Sequence, residues 1–197
     1  MAVLTAIISS AMVSTFVQNA IFERAFGANV TIYASRKESH IIGFTLGITL
    51  MTTIASAVTY FLDSLLLPLQ FGWLFMPLVY IAVISVLYIA SLLLIWRLFP
   101  KLFSRIKKYA HLAIFNCTVI GALFLNSNYG SDIWSYIGYG IGTGVGFFLA
   151  CLLLNIAREK LDSDKIPKAF RGYPIMMVYI GVISLAFYAL VGYTVDF

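Results

Sequence analysis

The sequence predicts an all-α integral membrane protein: six transmembrane helices, arranged as two inverted three-helix repeats. Three observations carry this. First, the chain of 197 residues is 61% hydrophobic and only 11% charged, with a mean hydropathy of +0.96, whereas soluble domains carry about a quarter charged residues. Second, six apolar stretches run approximately over 3–22, 41–62, 72–96, 109–125, 133–157 and 174–195, close to the roughly 20 residues a spanning helix needs. Their continuous apolar character differs from the alternating pattern of a barrel strand. Third, all thirteen Lys and Arg residues fall into three clusters. These are Arg24, Arg36 and Lys37; Arg97, Lys101, Arg105, Lys107 and Lys108; and Arg158, Lys160, Lys165, Lys168 and Arg171. If every apolar stretch spans, all thirteen lie on one side, and Lys and Arg in short loops are retained on the cytoplasmic side.

Residues 1–22 lack a basic leader region and a clear small-residue cleavage site, so the first stretch reads as a span that starts outside. Its apolar character continues to Tyr33, interrupted by Gln18, Asn19, Glu23 and Arg24 and followed by Gly27 and Asn29. About thirty residues is too long for one straight span. Either the segment breaks into half-helices near the midplane, or helix 1 ends near Phe22 and Glu23 and Arg24 mark the inner surface.

The second span has His40 at its cytoplasmic end, with Asp63 expected in a solvated turn beyond the other. Trp73 and Trp96 flank the third span and Trp134 opens the fifth, as interfacial anchors do. Only seventeen residues separate Lys108 from Asn126 in the fourth segment, with Asn116 and Cys117 at its centre. That reaches about 25 Å as a helix, short for a bilayer, so helix 4 is also predicted to break. Short, polar-interrupted helices at corresponding positions of two halves point to a site near the midplane.

The fifth span carries Gly138, Gly140, Gly142, Gly144 and Gly146. It is no phosphate loop, since no strand precedes it and no basic or hydroxyl residue follows in register. On a helix, positions 138, 142 and 146 share one face and 140 and 144 a second, which permits very close helix packing. Met176 and Met177 of the sixth span read as lipid-facing or core residues.

The chain divides as a single membrane domain, 1–197, with repeat one at about 1–98 and repeat two at about 99–197. Ser39 to Ile48 resembles Ser135 to Thr143 in sharing Ile-Gly followed by Gly four positions later. An odd number of spans per repeat forces the second copy to enter from the opposite side. Both termini are then outside, and loops 23–40, 97–108 and 158–173 are cytoplasmic. The net charge of +5 reflects topology, and no nucleic-acid partner is expected.

No constellation for hydrolysis and no zinc-ligand spacing occurs, so no catalytic residue is assigned. His40 and His111 read as interfacial, and Asp132 and Asp196 as solvated. Cys117 and Cys151 are too few for a disulfide framework and lie inside predicted spans. An intramembrane Cys taken alone is a small hydrophobe. An iron–sulfur cluster generally takes four ligands, so any cluster touching this chain must be shared with another subunit.

The second half resembles the integral membrane subunit family of Rnf and Na⁺-translocating NADH:quinone reductase (Nqr) complexes, and within it the RnfA/NqrE branch. The resemblance rests on Asn116-Cys117-Thr-Val-Ile-Gly121, Tyr139-Gly140 and Val145-Gly146-Phe147. Ala157-Arg158-Glu159-Lys160, Pro167, Phe170-Arg171-Gly172 and Ser184-Leu185-Ala186-Phe187 extend it in order. In the first half, Phe16-Val17 and Ser35-Arg36-Lys37 stand at family-like positions.

The resemblance implies six helices in two inverted triplets and a homologous partner of opposite topology, of the RnfE/NqrD kind. It further implies a 2Fe-2S cluster shared between the two, with two Cys from the broken helices of each. Cys117 matches the second of those Cys positions, and Ala25 occupies the first. Alanine cannot ligate iron, so Glu23 or Cys151 substitutes, or the cluster is absent. The expected function is that of a non-autonomous membrane subunit of a redox-driven ion-translocating oxidoreductase. It would carry electrons across a bacterial cytoplasmic (inner) membrane, coupled to Na⁺ or H⁺ movement, with other Rnf or Nqr subunits supplying the ferredoxin or NADH chemistry. The alternative is a divergent, cluster-less scaffold or small transporter on the same fold.

Overall fold

A computed structural model describes residues 1–66, 68, 71–98, 112–129, 132–163 and 166–191. The regular elements among them are all helical. α1 (Ala2–Met12) continues into a π-helical turn (Val13–Val17), followed by α2 (Ala28–Ala34), α3 (Glu38–Leu66) and α4 (Gly72–Leu98). The second half holds α5 (Cys117–Tyr129), α6 (Ile133–Leu161) and α7 (Tyr173–Val191). Among the described residues four stretches are long and apolar enough to cross a membrane: Glu38–Leu66, Gly72–Arg97, Leu112–Tyr129 and Ile133–Leu161. The first and sixth predicted spans correspond to the shorter apolar helices Ala2–Val17 and Tyr173–Ala189.

The glycine pattern of α6 decides how the bundle assembles. A Cβ added to Gly142 would sit 2.7 Å from the Ala11 Cα, and one on Gly138 would strike the backbone of Ile7. On the other face, a Cβ on Gly140 would sit 2.7 Å from the Thr53 Cα, and Gly144 lies hard against Thr49. The two small-residue faces therefore seat different neighbours: α1 on one side and α3 on the other. Small residues let backbones approach this closely in lipid, where no hydrophobic effect drives helices together. Hydroxyls stitch the same seams. Thr52 donates to the Gly140 carbonyl at 2.8 Å and Thr15 to the Gly142 carbonyl at 3.1 Å, while the Ser14 and Thr143 hydroxyls pair at 2.9 Å.

Tyr80, Leu123, Phe147 and Leu154 are buried between the helices. The outer faces of α4 and α7 expose Leu78, Val86, Leu93, Val182 and Leu185, a surface suited to lipid. Trp73, Trp96 and Trp134 are exposed near helix ends, where interfacial anchors belong. Met176 faces the core at 1% exposure, while Met177 is partly exposed.

Two expectations change. Asp63 is not in a solvated turn: α3 runs on to Leu66, and Asp63 is buried within it at 1% exposure. It falls on the same face as Thr52, Ser56 and Thr59, and that face packs inward. Cys117, expected to be buried inside a span, is exposed, because it opens α5 directly after a break in the chain. Pro100, Lys101, Arg105, Lys107, Lys108, His111, Lys165 and Asp196, and with them most of the predicted 97–108 loop, lie outside the described residues.

Candidate functional site

Helix 1 breaks, as one of its two readings requires, and its apolar sequence does not simply end at Phe22. The π turn closes with the Gln18 N–H donating to the Val13 carbonyl at 2.8 Å, and from Gln18 to Gly27 the chain leaves regular helix. Asn19, 2% exposed, bridges the gap. Its Nδ2 donates to the Thr15 carbonyl at 2.8 Å, and its Oδ1 accepts from the N–H groups of Ile21 at 3.0 Å and Phe22 at 3.2 Å. One side chain thus replaces helix bonds on both sides of the interruption. Buried backbone without partners is costly, and more so in a membrane.

The fourth segment uses the same device. Residues 112–114 are helical, the chain opens at Phe115 and Asn116, and helix resumes at Cys117. Asn116, 3% exposed, accepts from the Thr118 N–H at 3.2 Å through its side chain, and its carbonyl accepts from the N–H of Val119 at 3.0 Å. This is the geometry of an N-cap, at which Asn is among the preferred residues.

The two breaks meet. The Thr118 hydroxyl donates to the Phe26 carbonyl at 3.1 Å. Gly27, at φ +72°, packs so closely on this contact that an added Cβ would lie 2.6 Å from Asn116 Oδ1. Gly121 leaves room for the Phe26 ring, which a Cβ there would displace. Ala25 and Cys117 are both exposed, and each is next in sequence to a residue of this contact. Ala25 itself has φ +56°, a left-handed conformation that non-glycine residues seldom adopt.

The other candidates are placed elsewhere. Glu23 pairs with Arg24 at 3.5 Å, both largely exposed, and Glu23 borders a surface cleft with Phe22, Ser184 and Tyr188. Cys151 is fully buried, its thiol 3.9 Å from the Thr31 carbonyl. His40 stacks on Tyr33 with ring centroids 5.8 Å apart, at the start of α3. Among the described residues no three His, Cys, Asp or Glu side chains come together as metal ligands. The sequence marks both Asn116 and Asn19 as polar interruptions of apolar segments, but not Asn19 as the side chain that bridges its break. The signal was available: each Asn interrupts an apolar segment a few residues before Ala25 or directly before Cys117.

Fold and junction together define a polytopic α-helical membrane protein organised around two broken helices whose interruptions abut. Residues 7–194 match the family model described as "Rnf-Nqr subunit, membrane protein", and the chain belongs to that family. It is 31% identical over 187 residues to the A-subunit of the ion-translocating oxidoreductase complex of Glaesserella parasuis serovar 5, covering 94% of each chain. It is also 31% identical over 183 residues to the A-subunit of the same complex in Shewanella oneidensis, covering 92% of this chain and 95% of that one. To the A-subunit of the Na(+)-translocating ferredoxin:NAD(+) oxidoreductase complex of Acetobacterium woodii it is 30% identical over 173 residues, covering 87% and 90%.

Proposed function

We propose that this chain is a membrane subunit of a redox-driven ion-translocating oxidoreductase complex, the type of assembly for which its relatives are named. The observation that carries this reading is the abutment of the two breaks at Phe26 and Thr118. Irregular backbone at membrane depth is tolerated where protein buries it, and in transport proteins such broken helices surround the working site. On this reading the chain acts only within its complex, in a bacterial cytoplasmic membrane, with loops 23–40, 97–108 and 158–173 inside and both termini outside. It packs beside a homologous subunit of opposite topology. Support for the inverted-repeat reading is the matched order of the halves: a broken helix, a long helix and a third helix, with interruptions at Asn19 and Asn116.

The cofactor implied by the resemblance is a 2Fe-2S cluster shared with that partner. The donors in this chain do not fit the usual share of two thiolates. Cys117 is a thiol at the junction, whereas Ala25 presents a methyl group that binds no metal. Cys151 is committed to the core beside Thr31, and Glu23 is engaged by Arg24. Cys117 is therefore the one exposed thiol this chain brings to any such cluster.

A second reading, favoured by Ala25, is a cluster-less scaffold or small transporter on the same fold. Iron content and visible absorbance of the purified complex, with Cys117→Ala as control, separate the two. Iron lost with Cys117→Ala supports the shared cluster; iron absent, or unchanged by the substitution, leaves the scaffold. Ion uptake driven by electron transfer, in vesicles with and without this chain, tests the translocase itself.

A further inference from the structure

Asp63 is a buried acid that the junction of the two breaks does not use. Its carboxylate is 1% exposed and is held from two other helices. The Tyr80 hydroxyl of α4 donates to Oδ1 at 2.7 Å, and the Tyr136 hydroxyl of α6 donates to Oδ2 at 3.0 Å. The Ser127 side chain of α5 lies beside the Tyr80 hydroxyl, its own hydroxyl donating to the Phe124 carbonyl at 2.8 Å. Ser127 is half-buried and lies in the last turn of its helix, next to exposed Asn128 and Tyr129. Tyr60 of α3 stacks edge-on against Tyr136 at 5.3 Å. Among the described residues no Lys, Arg or His faces the carboxylate from α4, α5 or α6.

Inward from Asp63 runs a row of buried hydroxyls, Thr59, Ser56 and Thr52, at helical spacing along α3. Thr52 donates to α6, and the Ser56 hydroxyl is buried with no hydrogen-bond partner among the described residues. An acid in a membrane-embedded bundle is expensive and marks function when it lacks a counter-cation. A buried hydroxyl without a partner is likewise an exception that structural packing does not explain.

We propose that Asp63 is a proton-exchange site, connected by the hydroxyls of Tyr80 and Ser127 to the end of the bundle where α3 and α5 terminate. The inference rests on the ion-translocating reading and names a residue that carries its ion. The transfer balances without redox chemistry. Ser127 turns its hydroxyl from the Phe124 carbonyl toward Tyr80; Tyr80 passes its proton to Asp63 Oδ1 and takes that of Ser127. Ser127 takes one from a hydronium ion at the bundle end, so the carboxylate becomes neutral, the hydronium becomes water and each hydroxyl is restored. A metal cation fits less well, since among the described residues no group of three His, Cys, Asp or Glu side chains gathers around the carboxylate to hold one.

The test is infrared difference spectroscopy on the purified complex, oxidised against reduced, in ordinary and heavy water, with electron-driven ion movement followed in the same preparations. The expected result is a protonated-carboxyl C=O band that shifts in heavy water, disappears in Asp63→Asn and moves in Tyr80→Phe. Asp63→Asn keeps the shape and a hydrogen-bond acceptor, so a purely structural tie would survive it. If Asp63→Asn does not assemble, Tyr80→Phe leaves the acid in place and still moves the band. No such band, a band retained in Asp63→Asn or unmoved in Tyr80→Phe, or a carboxylate signal that answers to Na⁺ and not to heavy water overturns the proposal. Ion movement at the wild-type rate in Asp63→Asn overturns it while sparing the translocase reading. A wild-type complex that moves no ion overturns that reading instead.

Discussion

The Thr118 hydroxyl donates to the Phe26 carbonyl across 92 positions of sequence, and this bond joins the two places where the helical backbone is interrupted. Each interruption is first repaired locally by a buried asparagine, Asn19 or Asn116. The carbonyl of Phe26, which helix would have satisfied, is then taken up by the opposite break. The two irregular stretches complete each other, so the junction forms only when both halves are folded.

Asn19→Ala removes three hydrogen bonds at once and leaves the N–H groups of Ile21 and Phe22 and the Thr15 carbonyl short of partners. Each unsatisfied buried group costs about 1 to 3 kcal/mol, so a loss of about 3 kcal/mol or more is expected. The thermal midpoint of the detergent-solubilised chain measures it. A midpoint equal to wild type would remove Asn19 as the bridge.

Two glycine substitutions should act in opposite directions. Gly27→Ala places a Cβ at φ +72° against Thr118 and Asn116. The left-handed conformation alone costs an L-residue about 1 to 2 kcal/mol, and the close contact adds to it. Gly43 has nothing within 4 Å of an added Cβ, so Gly43→Ala should stabilise α3 by about 1 kcal/mol. Thermal midpoints of the two variants should lie on either side of wild type.

Close packing on α6 gives a further contrast. Gly140→Ala and Gly142→Ala each drive a methyl into a neighbouring backbone, which cannot turn aside as a side chain can. Overpacking of this kind costs about 1 to 3 kcal/mol. Gly181→Ala, in open space on α7, should leave folded yield in detergent unchanged. Equal yields for all three variants would contradict the seating of α6 between α1 and α3.

Ala25→Cys supplies the thiol that the family resemblance expects. Alanine already bears a Cβ at φ +56°, so the replacement brings no new backbone penalty and adds one exposed sulfur. If Cys117 is a single ligand to a shared cluster, iron per complex and visible absorbance should rise in Ala25→Cys and fall in Cys117→Ala. An increase in the former that survives Cys117→Ala would place the metal elsewhere.

Composition, the clustering of basic residues and the run of glycines on α6 were enough to determine a helical membrane protein with closely packed helices. Polar interruptions also pointed to the break in segment four and offered that in segment one as one of two readings, and Asn116-Cys117 with its downstream motifs revealed the family. These features are local: each depends on hydropathy, charge or spacing within one helix. Three matters were decided only by the tertiary structure. Phe26 and Thr118 were brought together by the packing of separate segments, Cys117 was left exposed at the start of a half-helix, and Asp63 was drawn from an expected turn into the core. Asp63 has the clearest physical reason. The acid stands a few residues from a helix end and looks solvated in sequence, but Tyr80 and Tyr136 reach it from 17 and 73 positions away. A hydrogen-bond partner that distant leaves no periodic trace in the segment it satisfies.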